Sequence, residues 1–150
     1  MTARTAMITR GAVIASLYVA LTLIFQPISF GVVQFRVAEA LTLLPVLWLE
    51  AVPGLFVGCL IANIFGGLGL WDIFLGSAAT LTAAVLTRFA PTLPLAAASP
   101  VVVNGLVVGW YLSFITDTPF IITAAYVAAG EAAACFALGI PLIKLLKKIN

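Results

Sequence analysis

Charge is nearly absent from this chain, and most of it sits at the borders of apolar runs. Twelve of 150 residues are charged, 8% against 64% hydrophobic, where a soluble domain carries about 25%. Arg4, Arg10, Arg88, Lys144, Lys147 and Lys148 stand at run edges, while Arg36 stands with Gln34 and Glu39 between the first two runs. Glu131 lies inside the last run and Asp72 at the start of the fourth. An ionised group at the centre of a bilayer costs at least about 2.5–3.5 kcal/mol. The chain reads as an all-α integral membrane protein, and its few polar positions are where chemistry is to be sought.

Six apolar runs are visible: 11–25, 37–49, 53–65, 71–89, 95–114 and 120–146. Breakers fall between them: Gln26-Pro27, Glu50-Ala51-Val52-Pro53-Gly54, Gly66-Gly67-Leu68-Gly69, Pro91 and Pro94, and Thr116-Asp117-Thr118-Pro119. No soluble domain remains, so residues 1–150 form one transmembrane unit of six helices. The first run is followed by Gln26-Pro27, not by a small-residue cleavage site, and reads as a retained span. Runs two and three are short. Thirteen residues of α-helix reach about 20 Å of a core about 30 Å thick, which fits either short tilted spans or a re-entrant hairpin. Both choices return the chain to the same side. The positive-inside rule then places both termini and the Glu50 turn in the cytoplasm, with Arg36, Gly67 and Asp117 outside.

In this orientation the polar residues sort by depth. Gln26, Gln34, Arg36, Glu39, Asn63, Asp72, Tyr111, Ser113 and Asp117 fall in the outer half, and Asn104 and Glu131 near mid-depth. The inner half is almost bare apart from threonines and flanking cations. A polar pocket open outward and closed inward captures a solute; it is not a through-pore.

Each candidate has a bland reading beside the functional one. Arg36 and Glu39, three apart at a helix start, share a face. They either satisfy each other or present Glu39 to a ligand with Arg36 orienting it. Glu131, mid-helix, must face the bundle interior or be neutralised. Asn104 is a ligand contact or interhelical glue. Asp72, after Trp71, is a ligand contact or an N-cap. Ala12, Ser16 and Ala20 form a small-xxx-small stripe that suits close approach of another helix, inside the chain or in a partner. Trp48, Trp71 and Trp110 fit an interfacial belt, with Trp110 also placed to stack on a flat ligand.

Much chemistry is excluded. The net charge of +2 belongs to helix flanks, with no basic cluster for nucleic acid. Cys59 and Cys135 lack CxxC spacing and read as buried free thiols. Without histidine or a carboxylate cluster there is no metal site, no cofactor and no Ser/His or Cys/His catalytic pair. The glycine loop at 66–69 lacks the lysine of a phosphate-binding loop. No pair of broken helices marks a self-contained secondary transporter. A solute-capturing protein without an engine borrows one.

The segments Pro27-Ile28-Ser29-Phe30-Gly31 and Gln34-Phe35-Arg36-Val37-Ala38-Glu39-Ala40-Leu41-Thr42-Leu43-Leu44-Pro45 resemble the signature of the queuosine-precursor transporter (QueT) family. The likeness continues through Gly58-Cys59-Leu60-Ile61-Ala62-Asn63, Gly67-Leu68-Gly69-Leu70-Trp71-Asp72 and Gly76-Ser77-Ala78-Ala79-Thr80-Leu81, and more loosely to Asn104 and Gly130-Glu131. The resemblance implies a six-helix substrate-binding S component of an energy-coupling factor (ECF) transporter, in a bacterial cell membrane. Its partners would be a transmembrane T component and two cytoplasmic ABC-type ATPases. Its substrate would be a queuosine precursor or related 7-deazaguanine. The resemblance also raises the weight of Ala12, Ser16 and Ala20 as the T-component contact, with Ser16 where alanine is common.

Such a ligand suits the residues. Adjacent ring N–H donors match one carboxylate, and a cationic aminomethyl group would favour a second; Glu39 and Glu131 are the expected pair. Asn63, Asn104 or Arg36 would serve its carbonyl, with Gln34 and Asp72 nearby. Trp71, Trp110, Tyr111 or Tyr126 would stack on its ring. The alternatives are an S component for another vitamin or purine-like solute, a homo-oligomeric channel with a ring of Glu131 or Glu39, and a scaffold whose polar residues only hold helices together.

Overall fold

The computed structural model describes residues 2–31 and 34–149. In chain order its main helices are α1 (Ala3–Ile24), α2 (Val37–Val46), α3 (Ala51–Gly66), α4 (Asp72–Phe89), α5 (Leu93–Ile115) and α6 (Phe120–Ile149). A single turn, Gln26–Ser29, follows α1 with proline in its first positions. There is no strand among the described residues. Helices α1, α4, α5 and α6 are long and apolar enough to cross a membrane, while α2 and α3 are shorter apolar helices. Hydroxyls start two of the long ones: Thr2 accepts from the Thr5 N–H ahead of α1, and Thr92 from the Leu95 N–H ahead of α5.

α2 is a 3₁₀-helix of ten residues, where such runs rarely exceed three or four. At about 2.0 Å per residue it reaches about 20 Å, against about 15 Å for the same residues as α-helix. The stretched helix lets a short segment run from one end of the bundle to the other. Ahead of it Arg36 meets Ser29 and Asp72, while Pro45 and Val46 at its far end accept from Arg88, in the last turn of α4. Residues 38–45 are all buried, and α2 packs against every other main helix. Buried on all sides, it takes its shape from its neighbours.

Helix α3 also runs end to end, parallel to α1. The two touch backbone to backbone: a Cβ on Gly58 would stand 2.9 Å from the Ala15 carbonyl oxygen and from the Tyr18 Cβ. Small residues at such crossings supply the packing that holds helices together in lipid. The core around α2 gathers Ile14, Tyr18, Leu43, Leu55, Cys59 and Ile143. A second cluster joins Ala79, Val108, Tyr111, Leu112 and Val127. Outward the bundle presents large apolar side chains such as Phe89 and Ile121, each 80% exposed, as a lipid-facing surface requires.

The two ends differ. At one, Arg10 pairs with Glu50 and lies over the Trp48 ring at 4.9 Å. At the other, Phe30, Gly31 and Gln34 fold in beside Leu68, Thr116 and Thr118 around a cavity of about 340 Å³. Two helices widen into π turns, α4 at Asp72–Gly76 and α6 at Ala133–Gly139. Both wide turns lie beside interior carboxylates, and π-bulges are frequent at functional sites.

Candidate functional site

Three carboxylates and one guanidinium lie inside the bundle: Glu39 from α2, Asp72 from α4, Glu131 from α6, and Arg36 from the residue before α2. None is more than 4% exposed. Arg36 donates through Nη2 to Asp72 Oδ1 at 3.4 Å and through Nε to the Ser29 carbonyl at 3.2 Å. Its guanidinium lies 4.7 Å over the Phe30 ring, a cation–π contact that holds the connecting segment down.

Each carboxylate is held at one oxygen by a neutral donor on another helix. Tyr111 donates to Asp72 Oδ1 at 2.5 Å. The Tyr18 hydroxyl bonds to Glu39 Oε1. Asn104 Nδ2 donates to Glu131 Oε1 at 2.7 Å, and an amide facing a carboxylate this way leaves its own oxygen free. Asn63 Nδ2 donates to the Asp72 backbone carbonyl at 2.8 Å, in the π turn of α4. Gly76 makes the room: a Cβ there would lie 3.0 Å from both Asn63 Nδ2 and Asp72 Oδ1 and 3.1 Å from the Tyr111 hydroxyl.

What remains is a set of buried acceptors. Among the described residues, Glu39 Oε2, Asp72 Oδ2, Asn63 Oδ1 and Asn104 Oδ1 have no hydrogen-bond partner, and neither do the hydroxyls of Thr22, Ser29 and Ser77. A buried polar atom left unpaired costs about 1–3 kcal/mol, more if charged. All four side-chain oxygens beyond the hydroxyls are acceptors, so the arrangement is chemically complementary to a molecule rich in N–H donors. Three carboxylates against one guanidinium favour a cationic one.

Gln34, Arg36, Glu39, Asn63, Asp72, Asn104, Tyr111 and Glu131 are all buried; hydrogen bonds join Arg36, Asn63 and Tyr111 to Asp72, and Asn104 to Glu131. Four expectations need correction. Arg36 and Glu39 do not pair: Arg36 is extended backbone ahead of the helix and reaches Asp72, while Glu39 engages Tyr18. Asp72 is not an N-cap; its side chain makes no capping bond and accepts from Tyr111 and Arg36 instead. The polar cluster does not stand open: Arg36, Glu39, Asp72 and Glu131 are each at most 4% exposed, and the Phe30 ring lies against the Arg36 guanidinium. Trp71, Trp110 and Tyr126 are 44–57% exposed and face away from the core. Trp71 and Trp110 meet edge to face at 6.2 Å. The Tyr111 hydroxyl serves Asp72.

Sequence reasoning missed Tyr18, Thr42, Thr80 and the role of the cysteines. The Thr42 hydroxyl donates to the Glu39 carbonyl at 2.6 Å, Thr80 donates to Cys59 Sγ at 3.2 Å, and Cys135 Sγ reaches the Glu39 carbonyl at 3.6 Å and Glu131 Oε2 at 4.0 Å. The available signal for Tyr18 was its hydroxyl in the middle of an apolar run, which must find a partner once buried. Ala12, Ser16 and Ala20 are all exposed on one face of α1, in a shallow groove with Ile8, Thr9, Val13 and Leu17.

No curated protein and no solved structure matches the chain. The family model described as QueT transporter matches residues 8–148, nearly the whole chain, and the chain belongs to that family.

Proposed function

We propose that this membrane transporter component is the substrate-binding S component of an ECF importer, and that it captures a queuosine precursor or related 7-deazaguanine for ATP-driven uptake. The observation that carries the reading is the set of four acceptor oxygens, on Glu39, Asn63, Asp72 and Asn104, that are unpartnered among the described residues, inside a bundle whose buried charges there are three carboxylates and one guanidinium. A 2-amino-4-oxo pyrimidine edge offers adjacent N–H donors, the pyrrole ring another, and an aminomethyl arm an ammonium. Glu39, Asp72 and Glu131 divide these, and the Arg36 guanidinium serves the ligand carbonyl. Family membership supports a transport role.

These 150 residues contain no nucleotide-binding loop, so the energy comes from a T component and two ABC-type ATPases. The exposed stripe Ala12, Ser16 and Ala20 is the face for the T component, since small side chains admit a second helix. All six main helices cross the bilayer, the stretched α2 included. Both termini are cytoplasmic, consistent with Arg10, Arg88 and the lysines of α6 lying at helix ends.

Mass spectrometry of small molecules that copurify with the detergent-solubilised chain tests this reading. A deazaguanine in wild-type protein, missing from a Glu39→Gln/Glu131→Gln variant that melts like wild type, supports it. A different solute held by the same residues transfers the site to another substrate, and a deazaguanine retained equally by the variant overturns the site.

A further inference from the structure

We propose that Tyr18 is a positioning residue of the substrate site: its hydroxyl holds Oε1 of Glu39 so that Oε2 is the oxygen presented to the substrate. The inference rests on the reading of the site given above. Tyr18 is fully buried on α1 and bonds across 21 residues to a fully buried carboxylate on α2. Its side chain is 0% exposed within the main core cluster, and its Cβ lies against Gly58, where a methyl group would not fit. Glu39 Oε2 has no partner among the described residues. A glutamate left free would surrender rotamer freedom on meeting a ligand. One already anchored at a single oxygen binds with less loss.

The same construction recurs at Asp72, where Tyr111 takes Oδ1 and Oδ2 is left unpartnered. Two tyrosines on different helices thus leave two carboxylates each with one bound and one unbound oxygen. A tyrosine placed only to fill space has no reason to divide a carboxylate this way. Tyr18 acts through Glu39 and does not itself touch the substrate.

The test is a double-variant cycle read by calorimetric titration of 7-aminomethyl-7-deazaguanine into the purified chain. Tyr18→Phe should weaken binding about ten-fold, the scale of one hydrogen bond to a charged group. In a Glu39→Gln background the same change should alter affinity less than about two-fold, because residues that act through one another do not add. Thr22→Val, which removes another buried α1 hydroxyl, should leave affinity unchanged. Equal losses from Tyr18→Phe in both backgrounds, or a comparable loss from Thr22→Val, would overturn the proposal. Infrared difference spectra read the same bond without ligand. The carboxyl band that disappears in Glu39→Gln should shift in Tyr18→Phe, and an unshifted band overturns the proposal even if wild-type protein binds no deazaguanine. That last result, with a shifted band, would remove the ligand and leave Tyr18 as the anchor of Glu39.

Discussion

Arg36 and Asp72 stand 3.4 Å apart inside the bundle, their side chains 5% and 0% exposed. The pair ties the segment before α2 to the first wide turn of α4, and Tyr111 completes the shell around Asp72. Removing one member of a buried pair leaves an uncompensated charge and costs about 3–5 kcal/mol. Arg36→Gln should therefore lower the thermal stability of the purified chain markedly. Arg36→Gln/Asp72→Asn should recover most of the loss, since neither member of the pair is left without the other. Melting curves in one detergent give both values, and a double variant no better than Arg36→Gln would show that the pair is not what matters.

Gly76 should tolerate no side chain. A methyl group there would press on Asn63, Asp72 and Tyr111 at 3.0–3.1 Å, and overpacking of this kind costs about 1–3 kcal/mol. Gly76→Ala is expected to impair ligand binding more than stability, because the atoms displaced are those of the polar cluster. Titration and melting of the same preparation separate the two effects. Full affinity in Gly76→Ala would mean that the cluster can move aside without consequence.

The stripe on α1 predicts the opposite pattern. Ala12 and Ser16 are exposed, and surface substitutions generally stay within about ±0.5 kcal/mol of stability. Ala12→Leu and Ser16→Leu should fold and bind substrate normally. They should fail to copurify with the T component and the ATPases, because bulk blocks close helix approach. A full complex recovered with both leucines present would assign the interface elsewhere.

The sequence laid out the helices well, because proline and glycine fall where the runs end. The elements at 37–46, 51–66, 72–89, 93–115 and 120–149 begin and end within a few residues of the apolar runs. The burial of Glu131, Asn63 and Asn104 was legible from the rarity of polar residues in apolar surroundings. Backbone form was not. Neither the 3₁₀ geometry of α2 nor the π turns of α4 and α6 has a local signature, since both arise from packing between helices. Pairing was also hidden. Arg36 and Glu39 are neighbours by spacing, yet the extended conformation at Arg36 sends its side chain to α4. Trp110 and Tyr126 lie on helices that carry buried polar residues, but on their outer faces, and a run that is apolar all round does not reveal which face turns inward.

Orientation is checked by labelling. Cys59 and Cys135 are buried, so single cysteines can be introduced against a quiet background. Thr116→Cys should react with an impermeant thiol reagent on intact cells, and Lys147→Cys only after lysis. The reverse pattern would invert the topology and put the capped end of the polar cluster on the cytoplasmic side.

The central claim is that buried carboxylates on different helices recognise one donor-rich, cationic heterocycle, and calorimetric titration of 7-aminomethyl-7-deazaguanine tests it most directly. Hydrogen bonds to charged groups contribute about 1.5–3 kcal/mol, so Glu39→Gln and Glu131→Gln should each lower affinity by roughly ten- to a hundred-fold relative to wild type. Both variants should keep the wild-type melting behaviour better than Arg36→Gln does, because glutamine preserves size without leaving a lone charge. Wild-type affinity retained in both glutamine variants would contradict the account.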